Sequence, residues 1–491
     1  MTLRKFAIAL AVITAAAGIV ACNSSSYEDT EIVLSSGTGV KTFSLEENDS
    51  VMANLDSVFF SIDLVAGKIF NADSLPFGTK VTALVPKITL MNGATTVELK
   101  VKRENNTDTV YNYLENSTEA IDFTNPVTLH ITSANGASER NYTISVNVHK
   151  VKSDSLTWDE QARTTLPTTF KAPAAQRTVR KGDNFYCLTT QGNAYEIGIH
   201  TGDIAGMNGA LPSTADWQIK KVTFPFTPQI NSFAASDDAL YILADDGTMW
   251  TSTDEASSWT ATPMKWHAIY GGYLTSILGS VNTENGWMIQ AYPSGNLMTM
   301  PDGMPVSNTS VPVCYSFPMS NNPQALFVGG RKADGTLSAD TWGFDGNSWA
   351  KVSKRPLAVP LEDVAIVSYV TFAESTGLSY SEYPSIVAFG GRDASGNPNS
   401  VVYASNDYGF NWVKADDMMQ LPEALGAFSN AQAYVMTSTY TARLARPRII
   451  KPIESWECPF VYLFGGVNAS GEVNNCIWRG VINRLTFKPI E

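Results

Sequence analysis

Past the first 25 residues, apolar positions never keep a 3.6-residue spacing for long; they fall in short runs separated by clusters of Gly, Asn, Asp and Ser. The pattern predicts strands joined by tight turns, an all-β chain. Residues 385–414, SIVAFGGRDASGNPNSVVYASNDYGFNWVK, show the unit most fully. Ser385 to Phe389 is an apolar run of β-formers, and Gly390-Gly391 ends it where the backbone needs positive φ or a close approach. A polar loop reverses the chain into a second strand, Val401 to Ala404. A further hairpin follows, with Ser405, Asp407, Gly409 and Trp412 at fixed offsets: Ser and Asp cap the turn amides, Gly takes the left-handed position and Trp plugs the base.

The unit recurs, which distinguishes a propeller blade from an isolated hairpin. Double glycines return at Gly329-Gly330, followed by Trp342, Asp345 and Trp349, and at Gly465-Gly466. Ser252, Asp254 and Trp259 repeat the second turn, with Ala256 where glycine is expected. Residues 151–491 are therefore expected to form a β-propeller with blades at 172–223, 229–264, 267–312, 313–354, 360–415 and 426–491. That is six blades, or seven if two early ones are merged. The strand LTWDEQ, residues 156–161, is placed to close the ring by pairing with the last blade, which removes the open edge.

Ahead of it, residues 41–150 read as a small immunoglobulin-like β-sandwich. In its clearest hairpin Val127, Leu129 and Ile131 alternate with polar residues, Asn135-Gly136 turns, and Tyr142, Ile144, Val146 and Val148 return. His130 and His149 fall on the polar face of this segment, as surface residues. The start of the chain is different: Arg4-Lys5 precedes an apolar run of 16 residues, short for a membrane span, so residues 1–21 read as a secretory leader. Residues 22–40 read as a polar tether.

Composition adds bounds. A chain of 491 residues, 44% hydrophobic, can bury a large core and more than one domain. Its formal charge is −13, and −15 without the leader, whose Arg4 and Lys5 are unopposed by any acid; this argues against nucleic acid as a partner, since phosphate binding needs clustered cations. Export would permit disulfides among Cys187, Cys314, Cys458 and Cys476. Across the hairpin that follows Gly465-Gly466, however, Cys476 should face Phe464, with Cys458 six residues further along, about 20 Å away. Free, buried thiols are expected.

Several stretches resemble known signatures. Ile19-Val20-Ala21-Cys22 resembles a bacterial lipobox, which implies acylation of Cys22 and anchoring in the outer membrane, facing the cell surface or the periplasm. The double glycine resembles a kelch repeat, and the Ser, Asp, Gly and Trp turn resembles the Asp box of sialidase-type propellers; in both families these residues are structural. Triplets beginning at Asp49, Asp56, Asp73, Asp108 and Asp154 resemble the O-glycosylation motif of one phylum of gut anaerobes. Residues 56–79 and 477–485 make the whole mature chain similar to a family of surface lipoproteins from that phylum, a domain-of-unknown-function family with an N-terminal sandwich and a kelch-like propeller. That resemblance brings no activity with it.

Candidate chemistry is sparse. The arginine motif of sialidases is missing from Ala174 to Gly182, AAQRTVRKG, and the propeller's His200 and His267 lack the spacing of a copper site. No catalytic, cofactor-binding or metal-ligating residue is assigned. A glycosidase needs only two carboxylates, and 47 acidic residues leave that alternative open. In kelch propellers the loop after the double glycine lies on the ligand face, which nominates Arg331, Lys332, Asp334, Arg392 and Asp393; the same arginines could instead brace adjacent blades. Trp266, Trp287 and Tyr292 are either stacking faces for sugars or core. An insertion at residues 439–457 carries Arg443, Arg446, Arg448 and Lys451, either a docking patch or a solvated loop. The reading is a non-catalytic binding protein for a glycan or a protein; the alternatives are a glycosidase or a structural part of an envelope assembly.

Overall fold

The structure, a computed structural model, describes residues 34–102, 108–150, 152, 155–206, 209–315, 323–374, 380–441 and 455–483. The leader, Cys22 and the basic residues Arg443, Arg446, Arg448 and Lys451 lie outside them, as does Asp154. The chain divides into two compact units, the first ending at His149 and the second beginning at Lys150.

The first unit is a sandwich of unequal sheets. Val40–Leu45 pairs with Pro86–Leu90. The larger sheet orders Ser61–Asp63, Lys68–Phe70, Glu139–Ser145, Val127–Ser133, Ala94–Lys102 and Asp108–Asn112, and its second and third strands run parallel. The expected hairpin is present, with Val127 opposite Ile144, Leu129 opposite Tyr142, and Gly136 at φ 69° in the turn. Strict alternation buries one face of Val127–Ser133. Leu45, Leu99, Leu129, Ile131 and Ile144 are fully buried there, and Phe43 of the small sheet meets Phe60 edge-on at 4.8 Å. His130 and His149 are half-exposed, and the His130 ring bonds the Asn141 amide at 2.8 Å. A buried clamp holds the end of the parallel pair: Asn71 donates to the carbonyls of Asn147 and Asp73 at 2.8 Å each, and accepts from the Asn147 amide at 2.6 Å.

The second unit is a ring of six four-stranded antiparallel sheets. Their first strands are Ala175–Lys181, Ala234–Ala235, Ala268–Tyr273, Val313–Tyr315, Glu362–Glu374 and Ser429–Thr441, and these lie nearest the axis. The last blade takes its fourth strand from the beginning of the unit: Ser155–Thr165 pairs with Cys476–Asn483. Six hydrophobic clusters fill the six gaps between neighbouring blades. A single strand feeds two of them: Ile386 and Ala388 point into the gap with blade four, Val387 and Phe389 into the gap with blade six. Burial on both faces is why the second strands read as continuous apolar runs rather than alternating ones.

The polar turns fold on themselves. In blade five the Ser405 hydroxyl donates to Asp407 (2.8 Å) and accepts from the Gly409 amide (2.9 Å), Asp407 accepts from the Asn411 amide (2.9 Å), and the buried Trp412 donates to Thr341 of blade four (2.8 Å). In blade two Ser252, Asp254 and Ser258 make the same bonds, and Ala256 occupies the left-handed position at φ 62°. The Ser258 hydroxyl and amide hold the Asp254 carboxyl down to about 2. Trp266 is core, donating to Gln290 at 2.8 Å, whereas Trp287 and Tyr292 are half-exposed.

Two expectations need correction. Cys187 is buried, its thiol pushed up to about 12 by that burial, but Cys314 is exposed and Cys476 half-buried; the side chain of Cys458 lies outside the described residues. The blade-six register is also one residue off, with Ile477 opposite Phe464, while Cys476 pairs with Thr165 of the closing strand.

Candidate functional site at the mouth of the propeller channel

Three blades end their second strand in a double glycine, and the geometry demands it. Gly329 and Gly330 sit at φ 70° and 110°, and a Cβ on either would run into the carbonyls of Leu361 or Ser307. The neighbouring chain thus comes in close, and the residue after the glycines is carried to the channel end of its blade. In blades four and five that residue is Arg331 or Arg392; in blade six it is Val467.

Both arginines converge on one carboxylate. Glu362, whose side chain is 3% exposed, accepts at Oε1 from Arg331 Nη2 (2.6 Å) and Arg392 Nε (3.0 Å), and at Oε2 from Arg331 Nε and Asn308 Nδ2 (2.9 Å each). Arg331 and Asn308 belong to the blade-four side of the gap, Glu362 and Arg392 to blade five, so the cluster ties the two blades together. Arg392 also pairs with Asp363 at 2.8 Å. Burial opposes charge on both acids, but the outcome differs. The bonds from Arg331 and Asn308 hold Glu362 below the usual carboxylate range, while at Asp363 burial outweighs Arg392 and raises the carboxyl.

The other two nominated residues lie apart from this cluster. Asp334 accepts from the amide and hydroxyl of Thr336, and Asp393 from the amides of Ser395 and Asn397, each in its own exposed turn. Lys332 is half-exposed.

Nearer the axis lies a ring that sequence reasoning missed. Asn308, Asp363 and Asn430 precede or open the first strands of blades four, five and six, all left-handed at φ 54–55°. At Asp363 and Asn430 the ladder pairing is interrupted opposite Gly391 and Gly466, with the register unchanged on either side. Asn430 accepts from Arg177 Nη1 of blade one and donates to Asn231 at the start of blade two, both at 2.9 Å, so one side chain spans three blades. Beneath it a buried seam joins blades six and one: Gln432 accepts from the Gln176 amide (3.0 Å) and from Thr178 N (2.8 Å), and Tyr434 donates to Thr178 O (2.8 Å). A groove of about 120 Å³ opens beside the ring between Gln176, Asn231, Asn430, Gly466 and Val473. The available signal was a polar residue or doublet just before each apolar first strand: Asn231-Ser232, Asn308, Glu362-Asp363, Ser429-Asn430.

A second cleft, about 350 Å³, lies on the closing strand. Four residues between Trp158 and Arg163 there oppose the single Arg479 between Trp478 and Gly480, and Arg479 reaches across to Asp159 at 2.6 Å. Among the described residues, no group of three or more His, Cys, Asp or Glu side chains is placed to hold a metal ion.

These features can be set beside known proteins. No curated protein matches the chain. Among solved structures it is similar to the N-terminal domain of Nup159 (10% identity, 68% of this chain and 97% of that one, TM-score 0.32). It is also similar to the GH74 enzyme of Niastella koreensis (12% identity, TM-score 0.34), with 73% of this chain covering about half, 48%, of the enzyme. YCF48 bound to D1 peptide matches at 13% identity, 68% of this chain and 97% of that one, TM-score 0.30. Residues 14–146 match the DUF6242 N-terminal domain and residues 152–490, the ring and its closing strand together, match the DUF6242 beta propeller domain: the chain belongs to the DUF6242 family.

Proposed function

We propose that this protein is an envelope lipoprotein, anchored in the outer membrane through Cys22, whose propeller binds a glycan or a protein on its double-glycine face and catalyses nothing there. The saturation of Glu362 carries the non-catalytic reading. Glu362 and Asp363 are adjacent acids, one lowered and one raised, which is how a glycosidase divides the work between its two carboxyls. A carboxylate has about four acceptor positions, however, and Glu362 has committed its own to Arg331, Arg392 and Asn308. It has nothing to offer a substrate. The second reading, a glycosidase that pairs Asp363 with some other acid, is favoured by the raised Asp363 alone.

A thermal-shift screen of the full chain against host and dietary glycans, with reducing-sugar release followed in the same wells, separates the two. A ligand at 100 times its Kd stabilises by about 2.7 kcal/mol. A shift without release supports binding; release that disappears in Asp363→Asn overturns it. The anchor is supported by the leader pattern and the position of Cys22. Growth with an alkyne fatty acid should label the wild type and not Cys22→Ala, and label retained in the variant would refute the anchor. Protease treatment of whole cells then distinguishes the cell surface from the periplasm.

A further inference from the structure

Near the axis of the double-glycine face one arginine stands outside the ion pairs. Arg331 and Arg392 cancel against Glu362 and Asp363. Arg177 enters no ion pair among the described residues; its Nη1 donates to the neutral Asn430, and its Nε is buried without a hydrogen-bond partner. The residue keeps part of its surface open to solvent while its Nε is covered, and burial lowers its pKa, with the Tyr434 phenol and the already engaged Asp363 offsetting only part. A guanidinium held out of water is costly unless an anion compensates it.

We infer that Arg177, at the axial mouth of the propeller, binds the carboxylate of an acidic sugar residue whose hydroxyls are taken by the surrounding asparagine amides. The inference rests on the ligand-binding reading above and names its chemistry. Planar donor pairs of a guanidinium match a carboxylate. Asn231 and Asn430 supply groups that both donate and accept, as a sugar hydroxyl does. The adjoining groove is lined by Gln176, Asn231, Asn430, glycine, alanine and valine, so the polar groups it offers are neutral amides, the partners a sugar hydroxyl takes. Asn430 itself sits in the left-handed region at φ 54°, the conformation in which its side chain meets both Arg177 and Asn231.

Isothermal titration of the full chain tests this, using D-galacturonate and D-glucuronate beside D-galactose and D-glucose, and a short peptide with a free or an amidated C-terminus. The uronates should bind about tenfold or more tighter than their neutral partners. Arg177→Met should weaken uronate binding by about tenfold or more while melting no lower than the wild type, because it removes an uncompensated buried charge. Asp363→Asn should tighten uronate binding, since it deletes the opposing charge. Equal affinity for uronates and neutral sugars, or unchanged uronate affinity in Arg177→Met, overturns the inference even where the glycan screen shows a ligand elsewhere on the face. Binding of the free-carboxylate peptide without the uronates overturns the sugar assignment. Silence toward all six probes overturns the site, and the wider reading then stands or falls on the screen alone.

Discussion

Glu362→Gln measures how firmly the double-glycine face is braced. The carboxylate accepts two bonds on each oxygen; an amide keeps one oxygen and turns an NH2 toward the donors that met the other. Two bonds are lost, each worth about 1.5–3 kcal/mol when a charged group is involved. Arg331 and Arg392 are 40% and 41% exposed, so water restores part of that, and the net loss should be about 2–4 kcal/mol. At about 2.1 cal/mol/K of unfolding entropy per residue, a unit running from Lys150 to Glu491 loses about 1.4 °C per kcal/mol, so melting should fall by about 3–6 °C. Calorimetry on the full chain reads this directly. The sign with pH is fixed as well. Because the folded Glu362 titrates below the usual carboxylate range, its contribution is complete above the unfolded value of about 4.3 and is lost as pH falls through the lowered folded value. The gap between wild type and variant should therefore close on acidification. A shift under 1 °C, or a gap that stays constant into acid, would refute the brace and leave Arg331 and Arg392 free to serve a ligand.

Asn71→Ala should destabilise the N-terminal unit by about 3 kcal/mol, since it removes a fully buried side chain that serves the Asn147 amide and two carbonyls; hydrogen exchange across residues 139–149 should accelerate, and unchanged protection would sink the clamp. Asp254→Asn should lower the melting temperature at neutral pH, with the difference shrinking between about pH 4 and 2, because the folded Asp254 titrates at about 2. A difference independent of pH in that window would show that the turn does not depend on the carboxylate. Maleimide at neutral pH should label Cys314 first and slowly, its thiol pushed up to about 11 by its surroundings, and Cys187 only after unfolding; native labelling of Cys187, mapped by mass spectrometry, would contradict its burial.

What the sequence made legible was local. The Ser252 and Ser405 turns, the double glycines and the Val127 hairpin each owe their geometry to residues within a few positions of one another, so residue types alone fix them. The blade-six register slipped by one because the intervening loop folds around Asn468, whose side chain takes the amides of Ser470 and Glu472, and nothing local fixes how many residues that consumes. A slip of one turns a strand's faces over. Cys314 fooled the reading because it is the middle residue of a three-residue first strand and faces the side that is left uncovered. The axial ring was out of reach for another reason: Arg177 and Asn430 are 253 residues apart and meet only because the ring closes. No periodicity records that.

The closing strand imposes an order on synthesis. Asp159 must wait for Arg479, 320 residues later in the chain. At about 5–20 residues per second that is on the order of 15–60 s during which residues 155–165 exist as a strand without a neighbour. Blades one to five can assemble as they emerge, but the circle cannot shut until the final strand arrives. An unpaired edge invites pairing with the wrong chain, so the interval between first and last strand, rather than the stability of the finished ring, sets the window in which this protein is most exposed to misassembly.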